Sequence, residues 1–188
     1  MSSRDVETVE KSTLADFEEL PEEDAYRVEL VRGRLVREPR PGARHGRLTV
    51  ILSVEIEMFA REHALGLTFA DAGFVLADDP PTVRGPDVAF LTQETVRREG
   101  SPAGFWRVAP DLAVEILSLS NRAAEIQEKV LEYLAAGTRL VWIVDPNTRS
   151  VTVYRSPSEI RILRESDVLD GADVLPGFAL PISRLFAS

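Results

Sequence analysis

One stretch constrains this chain more than any other: Pro110-Asp111-Leu112-Ala113-Val114-Glu115-Ile116-Leu117-Ser118. A short apolar run, bounded by Pro110 on one side and by Ser118, Ser120 and Asn121 on the other, reads as a buried strand. Residues 122–136 then carry helical periodicity, ended by Gly137, and Leu140 to Val144 form a second apolar run. The order strand, helix, strand predicts a βαβ crossover with parallel strands, hence an α/β domain with a mixed sheet. Glu115 is the anomaly. A carboxylate in an apolar strand loses its hydration and needs a partner, a proton or a metal.

Upstream, Thr13 to Leu20 reads as a short helix capped by Ser12 or Thr13 and stopped by Pro21. Tyr26 to Val31 and Arg34 to Arg37 alternate around Arg32-Gly33, the pattern of a β-hairpin. Leu48, Ile51, Leu52, Ile56 and Phe59 give an amphipathic helix of about five turns over 44–63, with Glu55 interrupting the stripe. Strands are predicted over Leu67–Ala70, Gly73–Ala77 and Arg84–Leu91, the last containing Asp87. A loop with a short helix near Glu94–Arg98 follows. In the 122–136 helix, capped by Ser120 or Asn121, the buried stripe is Ala123, Ile126, Val130 and Leu134. Arg122, Glu125, Lys129 and Tyr133 lie along its flank. Val151–Tyr154 and Ile160–Arg164 are strands, and Ile182–Phe186 is a final short helix. Residues 1–12 read as a disordered tail and 13–188 as one domain.

Composition removes several classes of protein. The chain has no cysteine, which excludes disulfides and thiolate zinc sites. No apolar run approaches the ~20 residues of a membrane-spanning helix, and the acidic N-terminus is no signal peptide. A cytoplasmic protein without membrane contact is expected. The net charge of −9 argues against a nucleic-acid partner until its distribution is read. Residues 5–24 account for −8 of it, whereas Arg32, Arg34, Arg37, Arg40, Arg44 and Arg47 face only Glu38. Such a patch can meet phosphate, or be a solvated basic hairpin and helix start. The chain has twenty arginines but only two lysines, Lys11 and Lys129.

Phosphodiester hydrolysis needs a cation that neutralises phosphate and lowers the pKa of attacking water. Mg²⁺ takes one or two carboxylates and keeps several waters. Asp87 and Glu115, on neighbouring strands, supply two such ligands, and the carbonyl of Ile116 supplies a third. Mn²⁺ suits the same oxygen donors. A nearby lysine would orient the water and stabilise developing charge.

Pro86-Asp87 followed by Glu115 resembles the signature of the PD-(D/E)XK nuclease superfamily, which has the restriction-endonuclease-like fold. More closely, the chain resembles the Uma-two family within it. The resemblance runs through Glu29–Val36, His45 opening a helix, Arg84–Val88, Pro110–Ser118, Lys129, Tyr133, Gly137 and Val141–Pro146. It implies an α-β-β-β-α-β core, here with an N-terminal hairpin and C-terminal strands, and Mg²⁺-dependent cleavage of DNA. Asp87, Glu115 and Lys129 would be catalytic, the two acids as metal ligands. The superfamily lysine normally lies two residues after the acid, on the same strand face. Leu117 holds that position here, and the family resemblance moves the lysine to the following helix, where Lys129 stands. Where the family tends to show aspartate this chain has Glu125, four residues before Lys129.

Each residue also has a plainer reading. Glu115 could pair with a buried arginine, Asp87 could cap a turn, and Lys129 could be a solvated helix residue. Glu29 could join the metal cluster or pair across the hairpin with Arg34 or Arg37. His45 could meet phosphate or simply open its helix. Asp111 and Asp145 read as structural turn residues. The two functional readings are a Mg²⁺-dependent DNA endonuclease, expected as a homodimer because two-fold symmetry suits a duplex, and an inactive nuclease-fold protein that binds nucleic acid or a protein.

Overall fold

The computed structural model describes residues 12–21, 26–118 and 121–187. The expected N-terminal tail therefore lies, but for Ser12, outside the described residues. In chain order the elements are α1 (Leu14–Glu18), β1 (Tyr26–Val31), β2 (Arg34–Pro39), α2 (Ala43–Glu62), β3 (Gly66–Ala70), β4 (Phe74–Asp78), β5 (Pro81–Arg84), β6 (Val88–Thr92) and α3 (Gln93–Glu99). Then come β7 (Leu112–Ile116), α4 (Ala123–Ala135), β8 (Leu140–Asp145), β9 (Ser150–Tyr154), β10 (Ile160–Leu163), β11 (Val168–Gly171), β12 (Leu175–Pro181) and α5 (Ile182–Leu185). Among the described residues no helix is long and apolar enough to cross a membrane.

A six-stranded sheet in the order β10-β9-β8-β7-β6-β3 is the centre of the molecule. β7 pairs with β8 in parallel, joined by α4, while β3, β6 and β7 pair antiparallel. α2, β3, β6, β7, α4 and β8 thus form the α-β-β-β-α-β core. Strand alternation assigns the faces of β7. Leu112, Val114 and Ile116 pack with Leu48, Leu52 and Ile56 of α2. Ala113 packs with Val130 and Tyr133 of α4, so Glu115 points to the α4 side. All five residues of β7 are buried because both sheet faces are covered.

The second sheet, β2-β1-β5-β4, carries the N-terminal hairpin. Its apolar face, Leu30, Val75 and Val83, is covered by Phe17 of α1. The Thr13 side chain caps α1, and Asp16 returns the bond to the Thr13 backbone.

Several expectations need correction. The strand predicted over Arg84–Leu91 is two strands in two sheets, β5 and β6, separated by Gly85-Pro86-Asp87. Pro86 has no N–H to give a ladder, so the chain changes sheets there and Asp87 precedes β6 instead of lying within it. In α4 the N-cap is Arg122, whose backbone N–H is met by Glu125. Asn121 does not cap it; its side-chain oxygen accepts from the Ser118 N–H and hydroxyl. Ser120 lies outside the described residues. The buried residues of α4 are Lys129, Val130 and Tyr133, whereas Ala123 is exposed. The hairpin of β11 and β12 was not anticipated, because Asp170, Gly171 and Gly177 break the alternation that marks a strand.

Candidate active site

The register brings the two predicted carboxylates together. Val88 pairs with Val114 and Ala89 with Ala113. Continued by one residue, the same ladder sets Asp87 opposite Glu115, and both side chains then lie on the α4 face. The Asp87 carboxylate confirms this proximity by accepting the N–H of Ile116 at 2.7 Å.

Asp87 is buried and held by three partners. Its Oδ2 accepts from Ile116 and lies 3.0 Å from His45 Nε2, and its Oδ1 accepts from Arg27 Nη1 at 2.5 Å. Burial alone would raise its pKa. The hydrogen bond and charge of His45, the Ile116 N–H and Arg27 outweigh burial and hold it below the usual carboxylate range.

Glu115 is equally buried but differently supplied. Its Oε1 accepts from the Tyr133 hydroxyl at 2.8 Å, and its Oε2 lies 3.5 Å from Lys129 Nζ. Burial raises its pKa to about 7, and the charges of Asp87 and Glu29 push the same way against Lys129 and Tyr133. Burial and the neighbouring Glu115 carboxylate likewise raise the Tyr133 phenol, so it acts as a donor.

Lys129 is not a flank residue in water; it is 4% exposed. Its ammonium meets Glu29 at 3.3 Å and Glu38 and Glu115 at 3.5 Å. Burial would lower its pKa, yet the three carboxylates raise it, so it is a fixed cation. Glu29 sits opposite Val36 in the hairpin, not opposite Arg34 or Arg37. It reaches across to Lys129, accepts the Gly85 N–H, and pairs with Arg84 at 2.7 Å. Against the effect of burial, Lys129 and Arg84 lower its pKa. Arg84 in turn grips Glu132 of α4 through Nε and Nη2.

Asp87, Glu115 and Lys129 are therefore brought together, with Glu29 and His45 beside them. Arg27, Arg84, Glu38 and Tyr133 were given no role by sequence reasoning. Arg84 carried a usable signal, since a charge adjoining the apolar run Val83 and Val88–Leu91 demands a partner as Glu115 does. Asp111 and Asp145 are structural as expected. Asp111 accepts from Thr92, and Asp145 accepts from Asn147 and Thr148.

Among the described residues no group of three or more His, Cys, Asp or Glu side chains stands ready as a metal cage. The donor set nevertheless fits Mg²⁺, which needs only one or two carboxylates and keeps waters for its other positions. Each carboxylate oxygen has two acceptor directions. Asp87 Oδ2 uses both on His45 and Ile116, whereas Asp87 Oδ1 and both oxygens of Glu115 each meet one donor.

A sheet of this topology, with Asp87 just before β6, Glu115 in β7 and a buried lysine beside them, is that of a protein with a nuclease fold. The chain belongs to the Uma2 family, described as “Putative restriction endonuclease”, whose model matches residues 14–183. It is similar in structure to a nuclease, titled putative and assigned to DUF820, from Anabaena variabilis ATCC 29413. That likeness has a TM-score of 0.82 and 24% sequence identity, covering 93% of this chain and 97% of the other. A comparison with curated proteins finds no match.

Proposed function

We propose that the chain is a Mg²⁺- or Mn²⁺-dependent DNA endonuclease. The observation that carries this reading is the approach of Asp87 to Glu115 at the end of the β6–β7 ladder, with the buried ammonium of Lys129 against Glu115. A divalent cation held there would polarise the phosphodiester and lower the pKa of the attacking water. Asp87 would bind through Oδ1, already ionised by its neighbours. Glu115 would bind after giving up the proton that its pKa of about 7 lets it hold in acid. Lys129 has too high a pKa to take a proton from water. Its role is to stabilise charge developing on phosphate, from a position set by Glu29 and Glu38. Exposed Arg44 and Arg47, which flank His45 at the start of α2, offer phosphate contacts. A two-fold dimer would present two such sites to the two strands of a duplex.

The second reading, a nuclease-fold binding protein without activity, is favoured by Leu117 at the position of the superfamily lysine. One experiment separates the two. Mn²⁺ binding is measured by calorimetry on the wild type and on Glu115→Gln, and plasmid nicking is assayed with the same pair. Binding and nicking that both disappear in Glu115→Gln support the endonuclease. Mn²⁺ binding without nicking supports the second reading, and a wild type that binds no Mn²⁺ even with DNA present removes the metal-dependent one.

A further inference from the structure

Among the described residues, Arg27 is the cation that touches Asp87 at the oxygen the metal reading needs. Its Nη1 is 2.5 Å from Oδ1, and its Nε is 3.1 Å from Asp71. Asp71 follows β3 in the left-handed region (φ 56°), which aspartate tolerates better than most residues. The guanidinium thus spans two carboxylates of unlike surroundings, Asp87 at 4% side-chain exposure and Asp71 at 53%. Arg27 itself is 24% exposed, so it has a route outward. Its departure would leave Asp87 in place, because Oδ2 remains fixed by His45 and by the Ile116 N–H.

We infer that Arg27 is a resident counter-ion, which holds Asp87 charged and oriented until a divalent cation replaces it and which then retires onto Asp71. This rests on the metal reading above. An apo carboxylate buried to this degree needs a nearby positive charge. An arginine supplies one that competes with the metal for Oδ1 without filling the site permanently. The exchange sets metal affinity through a residue that is not itself a ligand.

The test uses the full chain and MnCl₂. Calorimetry gives the affinity of the wild type, Arg27→Gln and Asp71→Asn, and thermal melts are recorded with and without Mn²⁺. Arg27→Gln is expected to bind Mn²⁺ on the order of tenfold more tightly, since a competing unit charge close to the ion is gone. The same variant melts below the wild type without metal, and Mn²⁺ closes that gap. Asp71→Asn, a change at an exposed position, is expected to bind several-fold more weakly, because Arg27 loses its second partner and stays on Asp87. Affinity that is unchanged or reduced in Arg27→Gln overturns the exchange and leaves the metal reading standing. Absence of binding in both the wild type and Arg27→Gln overturns the two together.

Discussion

The two sheets that meet at the site contribute opposite things. The six-stranded sheet positions Glu115 in β7 and Asp87 just before β6, facing each other at the end of an antiparallel register. The four-stranded sheet supplies ions around them, Arg27, Glu29 and Glu38 from the hairpin and Arg84 from β5, which join Lys129 of α4 and His45 of α2. The first sheet determines where the acids are, whereas the groups packed over them, His45 of α2 and Lys129 of α4 together with the hairpin's Arg27 and Glu29, determine what charge they carry. Asp87 and Glu115 show the consequence, since adjacent and equally buried carboxylates have pKa values moved in opposite directions. Position on a strand is a matter of local geometry, whereas ionisation is set by whatever the rest of the fold brings near.

Disabling the four-stranded sheet's contribution should give the largest effect. Arg84→Met leaves Glu29 and Glu132 without their buried partner, and breaking such a pair costs about 3–5 kcal/mol. Urea denaturation would read this, and a loss below ~1 kcal/mol would mean that the network is dispensable.

On the other side of the comparison, Glu115→Gln changes pH dependence. Glu115 has a folded pKa raised from 4.5 to about 7, so the native state binds the proton more tightly than the unfolded one. Its contribution is therefore complete below about pH 4.5 and lost as pH rises to 7, on the order of 3 kcal/mol at 1.36 per unit. The metal-free wild type should lose stability over that interval, and Glu115→Gln should not. Asp87 and Glu29, with lowered values, act in the reverse sense: their contribution is present above the ordinary carboxylate pKa and disappears as pH falls through their folded values. Melting curves of both proteins from pH 3 to 8, roughly the span of these shifts, would separate the two groups.

Tyr133→Phe is a smaller change. It removes one donor from Glu115 Oε1 and should cost about 1–2 kcal/mol. The phenol lowers the Glu115 pKa, so its loss should move the pH-dependent interval upward. Thr13→Ala is the smallest. It removes the cap of α1, costs about 1 kcal/mol, and weakens only the four-stranded sheet's cover, so Mn²⁺ affinity should not change. A shift in affinity would show that the hairpin transmits strain to the site.

The sequence by itself determined the elements whose periodicity is local: the hairpin, α2, β7, α4 and β8, and with them the βαβ unit and the core order. It also singled out Glu115, because a charge in an apolar strand is visible without any partner. Lys129 was legible as a candidate through family resemblance, but its burial was not, since a helix flank looks the same whether or not another sheet covers it. Only the tertiary structure decided that the run from Arg84 to Leu91 breaks at Pro86 and that Asp87 faces Glu115 across the ladder. It alone gave Asp87 to Arg27 and His45, and Glu29 to Arg84 and Lys129. These partners are 60, 55 and 100 residues apart for Arg27–Asp87, Glu29–Arg84 and Glu29–Lys129. The physical reason is that strand and helix periods depend on neighbours a few residues away, whereas a buried charge is compensated by whichever groups the packed sheets deliver.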